Sequence, residues 1–280
     1  MPSSFSDRTS CLPPPALAPF IDRFWQWSAP AASQLPFMLP GTGAECFFHL
    51  GVPFSINGEA APASYLICNR RQTLQLAATG PVNFVAVRFR AGQLRHFVPA
   101  SFSELQDHVT ATADLWSNAP ALHEQLALAP DFAKQARLLG EFFQRHLNEK
   151  RQHLLDMLLG RLYYLPNTRI EGLAKYTGWT RRNLDKRFMA LYGVSPKYFA
   201  RVARMQQVAR RLALSPHERL FDLALDVGYF DQAHFSHDLR AMTGLSPREL
   251  RTVLTRPAHF YHSRNAALPP SSILRENLDE

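Results

Sequence analysis

Between Thr168 and Leu250 one pattern is written twice, and nothing else in the chain constrains its fold as tightly. The first copy runs Leu173-Ala174, Gly178-Trp179-Thr180, Leu184, Phe188 and Gly193-Val194-Ser195-Pro196. The second runs Leu223-Ala224, Gly228-Tyr229, Phe235, Leu239 and Gly244-Leu245-Ser246-Pro247. The step from Leu-Ala to Gly is the same in both. The second copy then carries one extra residue, so Gly178 to Leu184 is six steps and Gly228 to Phe235 is seven. Repetition at this level of detail marks two copies of one supersecondary unit.

Each copy reads as helix, turn, helix. A small Ala beside Leu permits close approach of a second helix, and Gly supplies the left-handed residue that ends the first. Thr180 and Asp231 are N-caps for the second helix of their copies. Apolar residues then recur at helical spacing, Leu184/Phe188/Leu191 and Phe235/Leu239/Met242, so one stripe of each second helix is buried. At about 100° per residue, Arg182, Lys186 and Met189 lie opposite the first stripe, and Ala233, His237 and Arg240 opposite the second. Ser195-Pro196 opens a long connecting helix whose Val202, Met205, Ala209 and Leu212 form its own stripe, leaving Arg201, Arg204, Arg210 and Arg211 for other faces. Capping boxes are expected at Ser101–Glu104, Thr168–Glu171, Ser215–Glu218 and Ser246–Glu249.

Charge follows the repeat. From Lys150 to Arg256 there are nineteen Lys/Arg against nine Asp/Glu, a surplus of ten, while the rest of the chain carries a deficit of two. All of the excess positive charge (+8 for the whole chain) lies on the double unit, as expected of a module that neutralises phosphates.

The segment Gly228-Tyr229-Phe230-Asp231-Gln232-Ala233-His234-Phe235-Ser236 with Gly244-Leu245-Ser246-Pro247, together with the first motif, resembles the C-terminal DNA-binding domain of the AraC/XylS family of bacterial transcription regulators. The resemblance covers about a hundred residues. It departs at His237, where the family usually has a basic residue, and at Leu239, where it usually has an aromatic. It implies two helix-turn-helix motifs, 170–191 and 220–243, whose second helices enter successive major grooves of promoter DNA. Groove-contacting positions by this matching are Arg182, Asp185 and Lys186 in the first motif, and Gln232, Ala233, His234, Ser236 and His237 in the second. Arg181 and Arg187 are expected to face the phosphates, and Arg240 lies on the outward face. Asp185 could accept from a cytosine amine or pair with Arg181 or Arg182 on its own helix. Activation, and contact with RNA polymerase, are implied by the resemblance alone. A repressor, or a constitutive dimeric regulator, uses the same DNA mode.

The rest of the chain reads as α+β. A Ser- and Pro-rich stretch, 1–19, suggests a flexible arm. Strand-like runs come next at Phe20–Ser28, Ala44–Leu50, Phe54–Ile56 with a hairpin signal at Asn57-Gly58, Ser64–Cys68, Gln72–Ala78 and Val82–Arg90. Helical spacing dominates from Leu115 to Leu147. A β-rich domain, barrel or sandwich, with C-terminal helices is thus expected over 20–147, the helical DNA-binding domain over 148–256, and a loose tail over 257–280. Through Phe24-Trp25-Gln26-Trp27, Leu39-Pro40-Gly41 and Val87-Arg88-Phe89 the first domain is similar to the β-rich domains that many AraC-type regulators use to sense a small molecule or to dimerise. Trp25, Trp27, Phe37, Phe48, Phe84 and Phe89 are candidates to line an effector pocket, with core packing as the alternative for each.

Other chemistry has little support. His49, His96 and His108 form no close pair, His234 and His237 lack a third ligand, and Cys11, Cys46 and Cys68 fit neither a disulfide framework nor a zinc site. No phosphate loop or nucleophile elbow is present, so an enzyme with an appended DNA-binding module lacks a catalytic constellation. No cofactor or metal is expected. With no apolar run long enough to span a bilayer and no signal-like N-terminus, a cytoplasmic protein that does not engage membranes is expected.

Overall fold

The computed structural model describes residues 7–30, 35, 37–100, 102–148 and 153–254. Strands fill the first part: β1 (Asp7–Cys11), β2 (Ile21–Ala29), β3 (Ala44–His49), β4 (Ser55–Ile56), β5 (Glu59–Ala60), β6 (Ser64–Cys68), β7 (Leu76–Ala77), β8 (Val82–Phe89) and β9 (Val109–Ala111). Six of them form one antiparallel sheet in the order β1-β2-β8-β3-β6-β9, and β5-β4-β7 form a second, smaller one. Asn57 and Gly58 both take positive φ, 52° and 89°, which is the backbone a two-residue hairpin between β4 and β5 needs. Helices α1 (Phe102–Leu105), α2 (Thr112–Leu115), α3 (Ala119–Leu128) and α4 (Phe132–His146) complete this part.

The large sheet is buried on both faces, which is why β3 and β8 are almost continuously apolar rather than alternating. Phe24, Cys46, Phe48, Val85, Val87 and Phe89 point to one side, where they meet Leu122 and Leu126 of α3 and Leu139, Phe142 and Phe143 of α4. Trp25, Trp27, Phe47, Tyr65, Phe84 and Ala86 point to the other, against Phe54, Ile56 and Leu76 under the small sheet. The six aromatics expected around one pocket therefore do not share a face. Strand residues alternate sides, so Trp25, Trp27 and Phe84 are separated by the sheet from Phe48 and Phe89. All five are buried core residues, while Phe37 is half-buried.

Two strands escaped the sequence. The arm expected over 1–19 is, at Asp7–Cys11, an edge strand paired with β2, and the guanidinium of Arg8 lies 4.3 Å from the Trp27 ring centroid. It lacks apolar alternation because it is a lid on an edge and contributes little to either core. The three-residue β9 is too short to carry a period. Ser101 and the tail expected over 257–280 lie outside the described residues.

The helical part comprises α5 (His153–Tyr164), α6 (Ile170–Thr177), α7 (Arg181–Tyr192), α8 (Pro196–Leu214), α9 (Leu220–Asp226), α10 (Gln232–Thr243) and α11 (Pro247–Leu254). It has two cores. Leu158, Leu162, Leu173, Leu184, Phe188 and Tyr192 make the first, and Leu223, Phe235, Leu239 and Leu250 belong to the second. α8 is rooted in both: Phe199 and Ala200 join the first core, and Val202, Met205, Val208, Ala209 and Leu212 the second. A continuous helix anchored at both ends fixes the separation of the two motifs. Among the described residues, no helix is long and apolar enough to cross a membrane.

Candidate nucleic-acid interface

The two second helices, α7 and α10, start and stop by the same devices. Thr180 Oγ1 accepts from Asn183 N at 3.2 Å, and Asp231 Oδ1 accepts from His234 N at 2.7 Å. Gly193 and Gly244 end the helices with φ of 70° and 75°. Ser195 caps α8 through Tyr198 N at 3.2 Å, and the box at Ser246 and Glu249 forms in both directions, at 2.7 and 3.3 Å. Two expected boxes do not form. α6 is capped at Arg169 without a side-chain bond, because the Thr168 hydroxyl donates to Leu165 O instead. Ser215 is the C-cap of α8, and α9 starts only at Leu220: the intervening loop is held by Arg211 on Glu218 and by Arg251 on the carbonyls of Pro216 and Glu218.

The outward faces fall where helical geometry puts them. On α7, Leu184 and Phe188 are buried while Arg182, Lys186 and Met189 are exposed or nearly so; Tyr192, not Leu191, completes the buried stripe. On α10, Phe235, Leu239 and Met242 are buried, and Gln232, Ala233, His234, His237 and Arg240 are exposed, with Ser236 half-buried. The candidates differ in what holds them. Arg181 sits between Glu171 (2.5 Å) and Asp185 (3.3 Å), so the Asp185 carboxylate has its partner on its own helix. Arg187 lies 4.5 Å over the Trp179 ring and donates to Asn183 Oδ1. The His234 ring folds back, accepting at Nδ1 from Phe230 N (3.3 Å), which leaves Nε2 to carry the proton and point away from that bond. Arg182, Lys186, Gln232 and His237 make no side-chain hydrogen bond or ion pair with a described residue, so their donors are available to a partner.

Behind α10 lies a feature that spacing did not reveal. The Asp238 carboxylate is buried and takes the guanidinium of Arg201 on α8 together with the Tyr229 hydroxyl, 3.1 Å away. Burial and the adjoining negative charge push the Tyr229 phenol well up, so it remains a proton donor. Arg204, also on α8, lies 5.3 Å from the same ring. In the repeat, Trp179 corresponds to Tyr229 and Arg187 to Asp238. The turn is thus tied to the second helix in both copies, by a cation over a ring in one and by an acid on a phenol in the other. The only sequence signal was an acid, Asp238, at a position directly before the buried Leu239 of the stripe, with arginines on the connecting helix to meet it.

Of the four connecting-helix arginines read as available, Arg201 and Arg204 serve these internal contacts and Arg211 pairs with Glu218 and Asp226. On α7, by contrast, the cations without a partner among the described residues are Arg182 and Lys186. Among the described residues no group of three or more His, Cys, Asp or Glu could hold a metal ion.

Residues 173–252 match a model described as a helix-turn-helix domain, and residues 9–111 match a domain of unknown function (DUF6597). An uncharacterised HTH-type transcriptional regulator of Staphylococcus aureus is 26% identical over 124 residues, covering 41% of this chain and 16% of the relative. The uncharacterised HTH-type transcriptional regulator YisR of Bacillus subtilis (strain 168) is 25% identical over 164 residues, 59% of this chain and 54% of the relative. The chain thus spans between a sixth and about half of the length of these curated relatives. A crystal structure of ToxT from Vibrio cholerae superposes with a TM-score of 0.50 at 12% identity, covering 83% of this chain and 99% of that one; the likeness is one of fold.

Proposed function

The C-terminal part of this chain is an AraC-type helix-turn-helix domain, and from that premise we propose that the protein is a sequence-specific DNA-binding transcription regulator. One observation carries this conclusion. α7 presents two cations, Arg182 and Lys186, without an internal partner, on a face capped and anchored so that it cannot turn inward. Both can donate to guanine O6 and N7 in the major groove. Arg181 and Arg187, held by Glu171, Asp185 and Trp179, serve the phosphates and the stiffness of the motif. α10 is poorer in cations. Gln232, Ala233, Ser236 and His237 meet base edges or phosphates, His234 donates through Nε2, and Arg240 contacts the backbone.

α7 therefore supplies more of the base-specific energy and α10 more of the positioning. Replacing Arg182 or Lys186 by Ala in the full chain is expected to weaken binding to a selected duplex by ~1–3 kcal/mol, roughly 5- to 150-fold, with less loss on random DNA. Retention of wild-type affinity by both variants overturns the assignment. The N-terminal domain senses a small molecule or dimerises, and binding to promoter DNA activates transcription; the domain pairing and the resemblance support both statements. DNA affinity measured with and without candidate metabolites separates a sensor from a constitutive dimer. A reporter fused to a bound promoter gives the sign, with reduced expression pointing to a repressor.

A further inference from the structure

The loop Asn69–Thr73 comes directly after β6 in the N-terminal domain, yet it touches the same atom in both copies of the helical repeat. Asn69 Nδ2 donates to Tyr192 O at 2.6 Å, and Thr73 Oγ1 donates to Thr243 O at 2.9 Å. Tyr192 ends α7 and Thr243 ends α10; each precedes the left-handed glycine of its copy, Gly193 or Gly244. These are last-turn carbonyls with no partner inside the helix, at the negative end of the helix dipole, where a donor is favourable. In the orientation that satisfies both its ends, the Gln106 amide also donates to Gly193 O, at 3.0 Å.

The loop that carries these donors is braced. Met38 and Leu74 exchange backbone hydrogen bonds at 2.9 and 3.0 Å, and Gly41 N donates to Arg70 O at 2.9 Å. Arg70 Nε donates to Leu39 O at 3.2 Å. Asn69 is buried with φ at 43°, a left-handed conformation that Asn tolerates better than most residues. Leu39, from the adjoining segment, is fully buried in the core of the second motif, and Thr42 Oγ1 donates to Gln206 Oε1 on α8 at 3.1 Å. The four steps from Asn69 to Thr73 span at most ~14 Å, so the bracket is short.

We infer that this loop sets the relative placement of α7 and α10, making Asn69 and Thr73 positioning residues for DNA reading although neither faces DNA. The inference rests on the reading of α7 and α10 as the two DNA-contacting helices. The connecting helix α8 fixes their separation from within, and the bracket fixes the angle of their far ends from the N-terminal domain. By holding that angle, the bracket sharpens the preference for one half-site spacing and leaves contact chemistry unchanged.

The test uses the full chain. A randomised duplex library is selected with the wild-type protein. Affinities are then measured for the selected duplex and for versions with one base pair inserted or removed between its two halves. Asn69→Gly keeps the left-handed backbone and deletes the amide; Thr73→Val keeps the shape and deletes the hydroxyl; Thr73→Ser restores a donor. The expected result is that N69G/T73V lowers the preference for the selected spacing by on the order of fivefold or more, that T73V alone lowers it in part, and that T73S behaves as wild type. If the variants melt as the wild type does and retain its spacing preference, the bracket is not a positioning device. Where the double variant does not fold, T73V alone decides, because its hydroxyl is the only group removed. Failure of the wild-type protein to select any duplex would be a different result: it sinks the DNA reading itself, and this inference with it.

Discussion

Replacing Asp238 by Ala removes the acid at the centre of the second motif. The Asp238 side chain is 10% exposed and that of Arg201 is 33% exposed, and Tyr229 gives the same carboxylate a second hydrogen bond. Removing one member of a buried ion pair costs ~3–5 kcal/mol because the other charge is left uncompensated. A third of the Arg201 head already meets water, which lowers that to ~2–3 kcal/mol, and the Tyr229 hydroxyl left without an acceptor adds ~1 kcal/mol. The expected loss is about 3–4 kcal/mol. It is read as a lower urea midpoint and as faster hydrogen exchange along α10. The matching position of the first motif gives an internal standard: Arg187→Ala removes an exposed cation–ring contact, ~0.5–1 kcal/mol, and a solvent-exposed hydrogen bond to Asn183 Oδ1 that adds little. Making both ends apolar, Asp238→Leu with Arg201→Met, should recover most of the loss, since the cost lies in the stranded charge. A loss below ~1 kcal/mol for Asp238→Ala, or a double variant no better than the single one, refutes this account of how α10 is held.

Other sites give further expectations. Burial, with His123 nearby, lowers the His49 pKa to about 4, so the folded state holds this imidazole neutral while the unfolded chain protonates it near 6.5. Its contribution is complete above about pH 6.5 and is lost as pH falls toward about 4. Between pH 7 and pH 5 it amounts to about 2 kcal/mol, and His49→Phe should flatten the stability–pH curve over that interval by this amount. Gly92→Ala should be far costlier than Gly178→Ala. Both residues have positive φ, 71° and 67°, worth ~1 kcal/mol each against Ala, but a Cβ on Gly92 would lie 2.5 Å from Leu159 Cδ2 and 2.9 Å from the Tyr192 ring, whereas Gly178 has open space. Calorimetry of the two variants checks the ranking, and equal melting temperatures contradict it.

What was legible in the sequence was whatever has a period or a local cap. The buried stripes of α7, α8 and α10, the left-handed glycines and the capping residues Thr180, Asp231 and Ser195 come from spacing of three and four and from short-range hydrogen bonding. The hairpin at Asn57-Gly58 comes from backbone sterics. What failed did so because a competing partner, local or distant, decided it. Thr168 turned back to Leu165 O, and the Ser215 loop was claimed by Arg211 and Arg251. Strand β1 exists because β2 offers an edge, not because Asp7–Cys11 alternates. The aromatics assigned to one pocket were assigned by residue type, while the opposite parity of Phe84 and Phe89 along β8 already separated those two. Asn69 and Thr73 could not be found from sequence, since their partners lie more than a hundred residues away.

The central claim is that two helices read one face of a duplex. Hydroxyl-radical footprinting of the full chain on its selected duplex tests this most directly. It should show two protected patches on the same face of the DNA, their centres about one helical turn (~34 Å) apart. Removing the Arg182 and Lys186 side chains should erase one patch and leave the other. A single patch, or protection unaffected by those substitutions, contradicts it.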